Sequence, residues 1–272
     1  MGATIDRPVE MIVSDLDGTL LGRDGRLTRR TVDAVQAAVA SGIRVVAATG
    51  RSSTSAVPRL RPAEVIETAV CSNGSLIHDL PSDVTTDRFP IDPVMVERLF
   101  ATLTAIDDRF AFCWETDEGN GWDEAFADIA FVHEDLGAEA GLAGRPGRHH
   151  RTTKIMVRHP DIRQDELRAF LVPRLADPLT VSTSGVQFVE ITGDGVSKAS
   201  ALAELCRRWS VDVGRVVAFG DNHNDATMLR WAGLGLAMGD AASAARDAAD
   251  AVIGTTDDDA VARWIENHLR GA

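Results

Sequence analysis

Two carboxylates one residue apart, Asp15 and Asp17, stand at the end of a short apolar run and are followed at once by Gly18 and Thr19. The run Met11-Ile12-Val13-Ser14 lacks polar alternation, which predicts a buried strand. In an extended backbone, residues two apart face the same way, so both carboxylates can address one small volume beyond the strand end. Gly18 lets the chain turn where a side chain would obstruct. Two carboxylates so placed repel unless a cation or a shared proton lies between them. That points to a hard metal ion and a division of labour between two acids. A strand ending in a polar turn has the same composition, and the rest of the chain must decide.

The remaining chemistry-bearing residues also follow short apolar runs. Ile43-Arg44-Val45-Val46-Ala47-Ala48 predicts a strand ending in Thr49-Gly50-Arg51, and Thr68-Ala69-Val70-Cys71 a third, followed by Ser72-Asn73-Gly74-Ser75. Arg215 to Phe219 predicts another strand, running into Gly220-Asp221-Asn222-His223-Asn224-Asp225. Helical patterns alternate with these strands: Thr28 caps one that stops at Gly42, and Ser197 caps one that runs to about Trp209. Pro58 and Pro62 interrupt a helix expected from Ser52. Short apolar strands alternating with helices predict an α/β fold with a doubly wound, mostly parallel, Rossmann-like sheet. Such sheets bind ligands beyond the carboxyl ends of their strands, so Asp15, Thr49 and Asp221 should gather on one rim.

Between about Pro81 and Ser184 the pattern changes. Aromatic residues and histidines concentrate there, with a helix over 94–106, strands at 110–114 and 154–157, a Gly/Ala-rich loop over 137–147 and a helix over 165–175. These elements suffice for an inserted α+β cap domain, placed at residues 84–186, within a core of 1–83 and 187–272.

Asp15-Leu16-Asp17-Gly18-Thr19, Thr49-Gly50-Arg51, Lys198 at a helix start and Gly220 to Asp225 resemble, in order and context, the haloacid dehalogenase superfamily phosphatases. Gly195-Val196-Ser197-Lys198 and Ala237-Met238-Gly239 further resemble the Cof-like subclass, whose class IIB cap is inserted between the second and third motifs. The resemblance covers the core; the cap matches in position and length. It implies a magnesium-dependent phosphatase acting on small phosphomonoesters, sugar phosphates first and then flavin or pyridoxal phosphates.

Asp15 is placed to attack phosphorus and form an aspartyl-phosphate, which splits one hard displacement into two easier ones. Asp17 would protonate the leaving oxygen and then take a proton from the hydrolytic water. Magnesium suits an all-oxygen site. The resemblance assigns it the Asp15 side chain, the Asp17 carbonyl and Asp221, with Asp225 either a ligand through water or a partner that orients Lys198. Thr49, Gly50 and Lys198 offer donors to the phosphoryl oxygens, and the resemblance adds Leu16 and Asn224 to the phosphate contacts. Lys154 and Lys198 are the only lysines in a chain that otherwise uses arginine, as if an ammonium were needed at those places.

Composition bounds the remaining function classes. The 272 residues are 44% hydrophobic and 25% charged, with a net charge of −13. That acidity argues against nucleic-acid or anionic-membrane partners and requires a local cationic site for any anionic substrate. Cys71, Cys113 and Cys206 are odd in number and form no Cys-x-x-Cys pair, as expected of reduced thiols in a cytoplasmic protein. The start of the chain has no signal-peptide pattern and no apolar stretch is long enough to span a bilayer. A phosphomutase on the same core and a catalytically silent metabolite binder are the alternatives. His149-His150-Arg151, Trp114, Trp122, Phe126 and Lys154 are secondary candidates in the cap. Nothing in the sequence speaks to oligomeric state.

Overall fold

In the computed structural model, which describes residues 5, 7–127, 144–175, 179–185 and 187–271, the first apolar run forms β1 (Met11–Ser14), buried at every position. It lies between β2 (Arg44–Ala48) and β11 (Val216–Gly220), parallel to both, with Ser14 opposite Ala47 and Phe219. Beyond β2 lies β3 (Thr68–Cys71), again parallel. β4 (Leu76–Asp79) returns antiparallel from it, and β5 (Val84–Arg88) closes that edge. β12 (Leu234–Ala237) and β13 (Ala251–Val252) extend the other side, so the sheet runs β13-β12-β11-β1-β2-β3-β4-β5. Central strands covered on both faces have no polar position to spare, which is why their sequences read as apolar runs.

The helices obey their local signals. α1 (Arg29–Ala40) starts at Thr28, whose hydroxyl accepts the Thr31 N–H, and ends before Gly42 at φ +87°. α2 (Ser53–Leu60) forms with Ser52 as its cap despite Pro58; in so short a helix the missing N–H falls near the end. The acidic stretch 257–259 leads into a helix over Ala260–Gly271. Thr255 and Asp258 cap a 3-10 turn, and Asp259, at φ +51°, accepts from the Thr28 hydroxyl at 2.7 Å.

The chain divides into two compact units, residues 1–86 with 198–272, and residues 87–197. The second unit is α+β. α3 (Pro93–Ile106) and α4 (Gln164–Leu171) pack Leu99, Phe100, Leu103, Leu167 and Leu171 with Phe112, Trp114, Ile155 and Val157 from the sheet. That sheet comprises β6 (Ala111–Glu115), β7 (Asn120–Trp122), β8 (Lys154–Arg158), β9 (Leu179–Ser182) and β10 (Val189–Gly193), in the order β7-β6-β8-β10-β9. β10 corrects the expected boundary at 186/187, because it pairs antiparallel with β8 and β9 rather than with any core strand. Its apolar Val189 and Ile191 alternate with Glu190 and Thr192, the period of an antiparallel strand with two unlike faces rather than of a fully apolar core strand. Most of the expected loop 137–147 lies outside the described residues.

Candidate active site

The rim is formed by the turns that follow β11, β1 and β2. Asp15 is the first residue beyond β1, and its N–H donates to the Phe219 carbonyl at 2.9 Å. Asp221 follows β11 and Thr49 follows β2. Parallel pairing in matched register brings these three strand ends to one edge. Lys198 opens α5 (Lys198–Trp209), is fully buried, and donates from Nζ to Asp15 Oδ1 at 2.5 Å and to Asp225 Oδ1 at 2.6 Å.

The turn after β11 is built to aim Asp225 inward. Residues His223–Asp225 form a 3-10 turn capped by Asn222. Asp225 is fully buried, and its Oδ2 accepts the N–H groups of Asp221 at 3.0 Å and Asn222 at 2.9 Å. α6 (Ala226–Trp231) follows. Thr19 donates to Asp221 Oδ1 at 3.3 Å. Gly18 is required on two counts: its φ is +75°, and a Cβ there would stand 2.5 Å from Asp221 Oδ2.

Charge is out of balance within this cluster. Asp15, Asp221 and Asp225 place one carboxylate oxygen each within 4.8 Å of one another. Three carboxylates against the single Lys198 ammonium leave two negative charges uncompensated. Burial pushes the Asp15 carboxyl well above its ordinary range, with Asp225, Asp221 and Asp17 adding to the effect against the opposing Lys198. Burial, followed by the charge of Asp225, raises Asp221 to about 7. Burial alone would lower Lys198, but Asp15 and Asp225 outweigh it and hold the ammonium above its usual value. An all-oxygen donor set with two surplus charges has the chemistry of a hard divalent cation site.

Asp17 points elsewhere. Arg51 donates from Nε and Nη2 to its two oxygens at 2.6 and 2.7 Å, and the Asp17 side chain is 48% exposed. The sequence placed Arg51 within a motif but gave it no role; a guanidinium two residues after Thr49 was the available signal. The Thr49 hydroxyl accepts the Arg51 N–H at 3.0 Å, with Gly50 between them. Leu16 is buried, and its carbonyl accepts the N–H groups of Thr19, Leu20 and Leu21 to close the turn. Asn224 donates to Asn73 Oδ1 at 2.9 Å, a contact that sequence reasoning missed. His223 is exposed and bonded to Asn222.

The candidates in the second unit separate into packing and ion pairs. Trp114 packs between sheet and helices, while Phe126 and Trp122 pack on the other face with Phe188. Lys154 is buried, 2.9 Å from Glu115 and 3.5 Å from Glu190. His150 is buried against Gly147, and the Arg151 N–H donates to Asp117. The three cysteines are free and buried.

A family model for haloacid dehalogenase-like hydrolases matches residues 12–265. This chain belongs to that family. It is accordingly a hydrolase, and the match extends across the second unit as well. Among curated relatives, the pyridoxal phosphate phosphatase YbhA of Escherichia coli is 27% identical over 270 residues, 95% of this chain and 98% of that one. The 5-amino-6-(5-phospho-D-ribitylamino)uracil phosphatase YcsE of Bacillus subtilis is 25% identical over 264 residues, 96% of each. Among solved structures, the subclass IIB sugar phosphatase BT4131 shares the fold with a TM-score of 0.79 at 20% identity, covering 95% of this chain and 98% of that one.

Proposed function

We propose that this hydrolase is a magnesium-dependent phosphatase that cleaves small phosphomonoesters through an aspartyl-phosphate on Asp15. The observation that carries the reading is the buried Lys198 ammonium shared by Asp15 and Asp225, with Asp221 beside them and two negative charges left over. That surplus fits a divalent cation, held by Asp15, the Asp17 carbonyl and Asp221, with Asp225 orienting Lys198. Bound magnesium would supply charge neutralisation between the phosphoryl group and the carboxylates.

The chain's own residues account for the rest. An Asp15 oxygen attacks phosphorus as the bond to the leaving oxygen breaks, and that oxygen takes the proton of Asp17. A water then attacks the phosphorus of the aspartyl-phosphate, Asp17 takes its proton, and inorganic phosphate leaves with the Asp15 carboxylate restored. Lys198, the Thr49 hydroxyl and the N–H groups of Leu16 and Gly50 hold the phosphoryl oxygens, with Asn224 beside them. Asp17 can act as an acid only when one of its oxygens is released from Arg51, since both are occupied in the bidentate pair.

The names of the relatives support small phosphorylated metabolites as substrates. The unit at 87–197 is proposed as the substrate-selecting cap. No helix among the described residues is long and apolar enough to cross a membrane, and the proposed site of action is the cytoplasm.

The test is phosphate release from a panel of phosphorylated metabolites by wild type and Asp15→Asn, each with magnesium and with chelator. Turnover that needs both Asp15 and magnesium supports the reading. Formation of a phosphate isomer without release would make the protein a mutase, and no reaction with any compound would make it a silent binder.

A further inference from the structure

The second unit holds a cleft that the proposed chemistry does not use. It has a volume of about 510 Å³ and lies where β8 runs out into the connection to α4. Gly185 and Gln187, from the connection between β9 and β10, complete its wall. The described lining falls within residues 158–187, so the cleft is built by this unit and shares no residue with the carboxylate cluster. A space of this size accommodates a small metabolite rather than a bare ion.

Its lining is rich in uncommitted donors. Arg158 ends β8 and is half-buried, and Arg163 stands immediately before α4. Neither guanidinium forms an ion pair or hydrogen bond with another described residue. Arg163 offers no side-chain acceptor to the first turn of α4, so it caps none of the N–H groups there, which have no partner within the helix. Gln164 follows, half-buried, with its Nε2 enclosed and without a hydrogen-bond partner. The terminal torsion of a glutamine is broad, so the amide can turn this donor into the cleft once an acceptor is there to receive it.

The acids of the cleft do not cancel this. Asp161 is ion-paired with Arg109, which also holds Asp107 at 2.7 Å. His159 is committed on both sides, with Nε2 3.1 Å from Asp107 and Nδ1 accepting the Asp161 N–H at 3.2 Å. That leaves Asp165, exposed in the first turn of α4, where the helix dipole favours an acid. Two guanidinium groups against one free carboxylate leave the cleft with a positive charge, in a chain whose net charge is −13. A cationic ligand would be repelled by both arginines, and a neutral one would leave their charge unmatched. Guanidinium forks match the oxygens of phosphate and carboxylate groups. We infer that this cleft is a second ligand site, which takes a small anionic metabolite and holds its phosphate or carboxylate group through Arg158, Arg163 and Gln164.

Calorimetric titration of the full-length protein tests it, with inorganic phosphate and citrate as probes, in chelator and at constant ionic strength. Without metal the surplus negative charge around Lys198 repels both probes from the carboxylate cluster. At least one probe should bind at one site per chain, and the tighter of the two identifies the group that the cleft prefers. Arg158→Gln and Arg163→Gln should each weaken it by about tenfold or more, the loss expected for a charged hydrogen bond. Gln164→Glu keeps the shape of the side chain and suits a helix start, but should weaken binding at least as much by opposing the anion. Arg163→Lys, which keeps the charge without the fork, should retain part of the affinity. Arg98→Gln, exposed on α3 of the same unit, should leave binding unchanged. Failure of both probes to bind would overturn the inference. So would binding indifferent to Arg158, Arg163 and Gln164, which would put the anion elsewhere. An equal loss in Arg98→Gln would reduce the effect to general surface charge and overturn it as well.

Discussion

Replacing Asp221 by asparagine should stabilise the metal-free protein at alkaline pH, although it removes a proposed magnesium ligand. In the fold, burial and the neighbouring Asp225 raise the Asp221 carboxyl from 3.8 to about 7. Between those values the folded chain holds a proton that the unfolded chain has released. Stability therefore falls as pH rises through this window, and the loss is complete above about pH 7. At 1.36 kcal/mol per pH unit the whole rise corresponds to roughly 4 kcal/mol. Relaxation and water entry around a partly buried carboxylate should reduce the observable part to about 1–2 kcal/mol. An asparagine keeps an acceptor for the Thr19 hydroxyl and carries no charge, so it should recover that amount, about 3–6 °C in Tm for a chain of this size. The assay is thermal unfolding by circular dichroism in chelator at pH 5 and pH 8. The advantage of Asp221→Asn should be present at pH 8 and largely gone at pH 5. Saturating magnesium should reverse the order at pH 8, because the cation stabilises only the protein that binds it. A variant that is no more stable than wild type at pH 8 in chelator would refute the charge surplus on which the argument rests.

Three further outcomes follow from the same geometry. Lys198→Met should destabilise the metal-free protein by about 3–5 kcal/mol in urea titrations near neutral pH, because it leaves Asp15 and Asp225 buried without their cation. Gly18→Ala should lower activity and raise the magnesium concentration needed for half-activation by about tenfold or more. It strains a residue at φ +75° and pushes on Asp221; an unchanged magnesium requirement would contradict the close approach. Arg51→Ala should free Asp17 from the bidentate pair and raise the rate with alkyl phosphates by about threefold or more, with little change for p-nitrophenyl phosphate, whose leaving group needs no proton from Asp17. Equal changes on both, or a loss confined to the alkyl phosphates, would contradict the restraint of the acid by Arg51.

The relation between sequence and structure differs from element to element. The strand ends were legible because a strand buried on both faces must be apolar throughout, so its abrupt polar terminus marks the rim. Asp15, Thr49 and Asp221 could be placed there from that pattern alone, whereas Lys198 came from the family resemblance, since the rarity of lysine marks the buried Lys154 equally. Val189-Glu190-Ile191 reads in sequence as a return to the core rhythm, yet β10 belongs to the sheet of the second unit. Its alternation of apolar and polar residues was the clue, but only the pairing with β8 and β9 shows which sheet it joins.

By itself, then, the sequence determined the α/β core, the inserted second unit and the order of the acidic turns, all of which follow from local periodicity and residue chemistry. Tertiary structure decided which polar groups meet. Arg51 reaches Asp17 across 34 positions, and Asn224 reaches Asn73 across 151. Neither contact has a local signal, because each depends on how a turn at one strand end leans toward its neighbour and which way its side chains point. The surplus of charge around Lys198 is likewise a tertiary property: carboxylates scattered along an acidic chain acquire perturbed protonation only once burial removes the water between them.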